Sequence, residues 1–259
     1  MRRSWNLRRF DLIELCLVGL LAGVCGLLLG KAIGGRLRYP EYTTAVEAAR
    51  LRAAYGPNRF SENEEEWIIR DYFKDRAGGF FVDIGASHYQ QNSNTYYLES
   101  RLNWSGIAVD PQVILEADYR KYRPRTRFFP MFVSDVSNQS AKLYIAGGNL
   151  SAVSADRSFT QLFGDQVREF TAPTISLTDL LDQLHVTSVD FLSIDVELSE
   201  PKVLASFDID RFRPAMVCIE AHPDVRQQIL DYFAAHRYVV IGRYLRVDTQ
   251  NLYFTPQKP

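Results

Sequence analysis

FFVDIGASHYQQNSNTYYLE, residues 80–99, decides the reading of this chain. Phe80, Phe81 and Val82 open an apolar run that ends in Asp83-Ile84-Gly85-Ala86, which predicts a buried strand over Phe80–Ile84 closed by a carboxylate and a glycine. A stretch without charged residues follows, and Thr95–Leu102 then reads as a helix. Gly85 lets the chain bend sharply and lets a ligand approach the backbone. Strand, polar loop and helix in that order form a binding turn, and the rest of the sequence says for what.

Working outward, apolar runs alternate with helical stretches. Strands are predicted at Gly106–Asp110, Thr126–Ser134, Val189–Asp195 and Ala215–Glu220, with an edge strand at Lys142–Ala146. Helices are predicted at Thr43–Ala54, Ser61–Lys74, Val113–Tyr122, Ser176–Leu184, Ser199–Phe207 and Asp224–His236. Ser61, with Glu64 three residues on, reads as a capping box, and Ser176 as a cap. Tyr238–Arg243 and Asn251–Thr255 read as a closing antiparallel hairpin. Val-, Ile- and Phe-rich strands each followed by a helix imply an α/β fold with a mostly parallel sheet covered on both faces. In such sheets ligands bind beyond the carboxyl ends of the strands, where strand order reverses. Asp83, Asp110, Asp135, Asp195 and Glu220 recur at those ends and mark a polar rim.

Asp110, about 27 residues beyond Asp83, is placed to take a ribose diol. The G-x-G-x-x-G fingerprint of a pyrophosphate clamp is missing, which argues against an NAD-linked oxidoreductase and for a nucleoside without phosphates; S-adenosylmethionine is such a molecule. The net charge of −1 argues against a general nucleic-acid binder, which needs a basic face. Cys16, Cys25 and Cys218 form neither a CxxC pair nor a disulfide framework, so a reducing compartment is expected.

The ordered set FVDIGA (81–86), SNTYYLE (93–99), NWSGIAVDP (103–111), FVSD (132–135), TISLTDLLD (174–182), VDFLSIDVELSE (189–200) and RFRPAMVCIEAH (211–222) resembles the FkbM-type methyltransferases. The resemblance spans about 140 residues and implies a Rossmann-like methyltransferase fold that uses S-adenosylmethionine. It implies that Asp83, Gly85, Ala86 and Ser87 belong to the cofactor loop, that Asp110 binds the ribose, and that Ser134 and Asp135 lie near the adenine. Ser93, Asn94 and Thr95 would cap the first helix, whose N-terminus would hold the cofactor's carboxylate. Asp195, Glu197, Glu220 and His222 are the candidate base or acceptor-orienting groups for methylation of a hydroxyl on a glycan, lipid-linked or small-molecule acceptor. Asp195 and Glu197 alternate at a strand end and could share a divalent cation. Two departures stand out: Leu198 replaces the glycine usual after Asp-x-Glu in the family, and His88-Tyr89-Gln90-Gln91 stands where proline or glycine is frequent. Leu198 favours an alternative reading, a lapsed methyltransferase-like domain serving as a structural or assembly subunit of a membrane complex.

The expected organisation is a membrane anchor at 1–34, a linker with a short helix at 35–60, and the methyltransferase domain at 61–259. Leu12 to Ile33 is an apolar stretch that as a helix would span about 33 Å, enough for one transmembrane pass. A cleaved signal peptide is the rival reading, given Arg2, Arg3, Arg8 and Arg9 ahead of it. Those arginines argue for a cytoplasmic N-terminus, which would place the domain outside; a cytosolic cofactor argues the reverse. The two arguments conflict, and the domain is expected on the cytosolic side of a single-pass membrane protein. Gly19, Gly23, Gly26 and Gly30 recur at spacings that let a second copy or another helix approach closely.

Overall fold

The computed structural model describes residues 39–146 and 152–258. The proposed membrane helix over 12–33 and its glycines lie outside the described residues. No helix among the described residues is long and apolar enough to cross a membrane. The chain divides into two compact units, Met1–Glu47 and Ala48–Pro259. The described part of the first is the beginning of helix α1 (Tyr39–Tyr55), which is longer than the Thr43–Ala54 expected.

The second unit is built on a seven-stranded sheet. Its parallel strands are β1 (Phe80–Ile84), β2 (Ser105–Val109), β3 (Thr126–Phe129), β8 (Phe191–Ile194) and β9 (Met216–Glu220). The closing hairpin supplies β10 (Tyr238–Val240) and β11 (Asn251–Pro256). The strand order is β10-β11-β9-β8-β1-β2-β3, and β11 runs antiparallel to both neighbours. The order reverses between β1 and β8, the switch point at which open α/β sheets bind ligands.

Alternation along the strands divides the core between two faces. Val82, Ile84, Leu192, Ile194, Val217 and Ile219 pack on one side. There they meet α6 (Leu177–Gln183), α7 (Glu200–Ala205) and α9 (Arg226–Ala235) through Leu180, Leu181, Val203, Leu204, Ile229 and Phe233. Phe81, Phe191, Met216 and Cys218 face the other way, against Trp67, Ile68 and Phe73 of α2 (Glu65–Phe73) and against Trp104. Leu51, in the part of α1 within this unit, joins the same cluster. Cys218 is a buried free thiol. The helix expected from Ser61 starts later, at Glu65. Ser61 still closes the entry, because its Oγ accepts the Glu66 N–H at 3.0 Å.

Two expectations are corrected. The single strand read over Thr126–Ser134 breaks at Pro130, which has no N–H to give a ladder, and the chain crosses into a second sheet as β4 (Phe132–Val133). That sheet has the order β4-β7-β5-β6 and includes β5 (Ser140–Ala146), β6 (Ala152–Ser154) and β7 (Arg168–Ile175). The stretch read as an edge strand, Lys142–Ala146, therefore lies in β5 with a partner on each side. β7 leads straight into α6, where Ser176 Oγ accepts the Asp179 N–H at 3.0 Å as the expected cap. The small sheet is thus an insertion in the crossover from β3 to β8.

Candidate functional site

A cavity of about 540 Å³ opens at the switch point. It lies within the size range of small-molecule and cofactor sites. Gly85, Ser87, Asn94, Asp110, Asp195, Glu197, Glu220 and His222 all line it. Asp83, Ala86 and Thr95 stand behind this wall.

The floor is a backbone pinch. Gly85 and Ala86 both donate to Val109 O, at 2.8 and 3.1 Å, while Asp195 N donates to Ile84 O at 2.9 Å. Gly85 has φ +82, and a Cβ placed on it would lie 1.7 Å from Asp195 O. Here glycine is required both by conformation and by the close approach of β8.

Asp110 is buried and directed along the cavity wall. Its Oδ2 accepts the Ser87 N–H at 3.1 Å and its Oδ1 the Gln112 N–H at 2.9 Å. One lone pair remains on each oxygen. Burial lifts its pKa to about 6 against the pull of these N–H donors. Asp83, the carboxylate of the opening motif, is structural in its contacts. It accepts from Thr95 Oγ1 at 2.7 Å, and Thr95 Oγ1 in turn accepts from Arg123 at 3.1 Å. Burial, the largest influence, raises its pKa.

Helix α3 (Tyr96–Leu102) begins one residue after Thr95. Ser93 Oγ accepts the Tyr96 N–H at 3.1 Å, so Ser93 does the expected capping. Asn94 donates to Ser193 Oγ at 3.1 Å and remains on the cavity wall. His88 ties the loop together by accepting the Gln90 and Gln91 N–H groups at 3.2 and 2.9 Å.

The expectation for Ser134 and Asp135 is revised. Ser134 is buried, Asp135 is exposed, and Ser134 Oγ donates to Asp135 at 2.9 Å away from the cavity lining. The break at Pro130 redirects the chain, so Met131, Phe132 and Val133 face the cavity instead.

At the opposite end stand the acids. Ile194 of β8 pairs with Ile219 of β9, so the next residues, Asp195 and Glu220, emerge side by side. Glu197 joins them because Glu197 and Leu198 turn the chain through φ +52 and φ +75. Each left-handed non-glycine residue costs roughly 1–2 kcal/mol. Leu198 thus holds a conformation that glycine takes without strain. The turn is held by Ser154 Oγ, donating to Glu197 O at 2.6 Å, and by Val196 N, donating to Glu200 at 3.1 Å. One oxygen from each of Asp195, Glu197 and Glu220 lies within 4.8 Å of the others, a spacing that could also hold a divalent cation. His222 is half-buried beside them, its ring edge-on to Phe159 at 5.4 Å.

Residues 83–240 match the Methyltransferase FkbM domain family. The chain belongs to that family. No curated protein matches it. Among solved structures, it is similar to a TehB-like SAM-dependent methyltransferase from Corynebacterium glutamicum, with 15% identity and a TM-score of 0.43 over 85% of this chain and 100% of the other. It is also similar to a precorrin-6y C5,15-methyltransferase from Geobacter metallireducens, with 9% identity and a TM-score of 0.44 over 78% and 93%. A third likeness is to a 1,6-didemethyltoxoflavin-N1-methyltransferase from Burkholderia thailandensis, with 9% identity and a TM-score of 0.33 over 99% and 94%. These likenesses are too remote to bear on the chemistry.

In this FkbM domain the acid cluster is electrostatically crowded. Asp195 is open to the cavity yet deep between the strand ends; burial first, then the Glu220 and Glu200 charges, push its pKa well up. Burial and Asp195 lift Glu197 to about 8, and burial and Glu197 lift Glu220 to about 8. The folded protein therefore keeps protons on these groups that the unfolded chain, with ordinary values near 4.5, has released. Stability without ligand is expected to fall as pH rises from about 4.5 to about 8. Melting temperatures taken across that window should show the decline, and the double variant Glu197→Gln, Glu220→Gln should make it shallower, leaving the share of Asp195, Glu65 and Asp110.

Sequence reasoning missed three parts of the wall. Glu62 and Glu65 reach the cavity from the approach to α2, ahead of the family match, and Gln250 and Asn251 reach it from the hairpin. Burial and the Asp248 charge raise Glu65 to about 7. The acid-rich SENEEEW run was the available signal, but acids in a first helical turn are ordinary. Phe159, Leu162 and Phe163 line the cavity from the inserted segment. Among the described residues, no lysine or arginine lines it.

Proposed function

We propose that this chain is a membrane-tethered methyltransferase that moves a methyl group from S-adenosylmethionine to a hydroxyl oxygen. The observation that carries the reading is one open cavity with Asp110 on its wall and the Asp195–Glu197–Glu220 cluster at its far end. The residues fit the cofactor. Asp110 keeps lone pairs for two ribose hydroxyls, and Ile84, Val109, Met131, Phe132 and Val133 offer apolar surface for a planar base. An acid-rich lining, with no lysine or arginine among the described residues, favours a molecule carrying a sulfonium and an ammonium. When bound, S-adenosylmethionine supplies a methyl group that its sulfonium makes electrophilic.

The protein's task is alignment and proton removal. The acceptor oxygen must lie in line with the methyl carbon, forming the C–O bond as the C–S bond breaks; such positioning can lower the barrier by roughly 7–11 kcal/mol in favourable cases. The hydroxyl proton passes to a carboxylate of the cluster. Raised pKa values suit these groups to accept it, and a neighbouring positive charge favours their ionised, basic forms. Carboxylates beside aromatic surface suit a neutral polyol acceptor: hydroxyls donate to the acids while Phe159 covers its apolar face. The apolar segment at 12–33 would tether the domain on the cytosolic side, where the cofactor is made.

Calorimetry tests this reading. Asp110→Ala is expected to weaken cofactor binding at least about 100-fold, since hydrogen bonds to a charged group contribute about 1.5–3 kcal/mol each. The wild type should bind at micromolar concentration. Wild-type protein that takes up no S-adenosylmethionine at millimolar concentration would leave the lapsed-domain reading that Leu198 favours.

A further inference from the structure

We propose that the acceptor is an amphiphile, with its hydroxyl-bearing head at the carboxylates and an apolar tail over the turn Gln161–Phe163. This rests on the methyltransferase reading above and adds the acceptor's second half. Leu162 and Phe163 are 76% and 50% exposed, yet both line the same cavity as Asp195, Glu197 and Glu220. Large apolar side chains held open at a cavity mouth mark a surface meant to be covered. The cavity therefore changes character along its length, from the acid cluster to an apolar lip.

The lip is a built feature. It follows the short helix α5 (Arg157–Thr160), whose entry is capped by Asp156, accepting the Ser158 and Phe159 N–H groups at 2.7 and 3.0 Å. Phe159 and Thr160 are buried and anchor the turn, and Thr160 Oγ1 donates back to Asp156 O at 2.8 Å. Phe163 packs on Phe159 at 5.3 Å between ring centres, and Phe159 meets His222. One side of this aromatic pair thus borders the reacting end and the other borders solvent. A head-and-tail molecule of modest size meets both.

The test uses the full chain in lipid nanodiscs, saturated with S-adenosylhomocysteine, and titrated with methyl, butyl and hexyl β-glucoside. Empty nanodiscs supply the correction for partitioning into lipid. Affinity of the wild type is expected to climb about fourfold per methylene seated on the lip. In Leu162→Ser, Phe163→Ser that gain should vanish while methyl glucoside and S-adenosylhomocysteine bind as before, which also shows that the variant is folded; Phe163→Ser alone should halve the slope or more. An equal slope in wild type and variant, no gain with chain length, or no glucoside binding at all overturns the proposal. Wild-type protein that fails to bind S-adenosylhomocysteine overturns the methyltransferase reading and this one with it; normal binding with a flat alkyl series overturns this one alone.

Discussion

Gly85→Ala is expected to cost more than about 3 kcal/mol and to lower the melting temperature by roughly 10 °C. The added Cβ would sit 1.7 Å from Asp195 O and 2.7 Å from its carbonyl carbon. No side chain can swing aside there, because the obstacle is the backbone of the neighbouring strand. The φ of +82 adds the left-handed penalty of roughly 1–2 kcal/mol for any residue with a Cβ. Relief requires β1 and β8 to separate at their tips, which would also move Asp195 and open the floor of the cavity. Soluble variant protein should therefore lose cofactor affinity along with stability. A melting temperature within about 2 °C of wild type would show that the strand ends are not pinched as described.

Asp195→Asn should separate stability from chemistry. Burial first, then the Asp195 charge, raises the pKa of Glu197; burial first, then Glu220 and Glu200, raises that of Asp195. Removing that charge relieves repulsion in the cluster, so the ligand-free variant is expected to be more stable than wild type near pH 8. Methyl transfer should nevertheless fall by about two to four powers of ten, the usual contribution of a positioned base. Cofactor affinity should change only a few-fold, because Asp110 stands two strands away, at the tip of β2. Thermal melts at pH 8 and single-turnover transfer of labelled methyl into a lipid and glycan extract measure the two halves. Loss of stability together with unchanged transfer would make Asp195 a structural acid.

The cluster's strain fits this division. Glu197 and Leu198 both hold left-handed backbone conformations beside the acids, a position where strain and function coincide. Leu198 keeps the turn that glycine would make, and it packs against the core on the α7 side of the sheet. Its side chain is thus taken up by the core and is not among the residues that line the cavity.

Much of the sheet was legible because its causes are local. Phe80–Ile84 alternates between two buried faces, Gly85 follows at the bend, and the structure returns that strand with the bounds read from sequence. β8 and β9 were likewise visible as short apolar runs ending in acids, and the closing hairpin as two β-rich segments around a turn. Asp110 could be placed at a strand end because periodicity located the strand. What failed had a distant cause. Thr126–Ser134 looked continuous, and only competition between two sheets, with Pro130 at the junction, sent Ser134 and Asp135 away from the cavity. β7 went unread because its pattern, REFTAPTI, alternates weakly and its partner strands lie in an inserted sheet.

By itself the sequence determined the parallel sheet, the binding turn after β1 and the carboxylates at the strand tips, since hydrophobic alternation and glycine stereochemistry act over a few residues. Only the tertiary structure decided which of those carboxylates meet. Strand register sets Asp195 beside Glu220, a left-handed turn brings in Glu197, and chain segments from both ends of the domain add Glu62, Glu65 and Asn251. Encounters of this kind depend on strand order and on where an insertion folds back, and residues far apart in sequence leave no local trace of the space they will share.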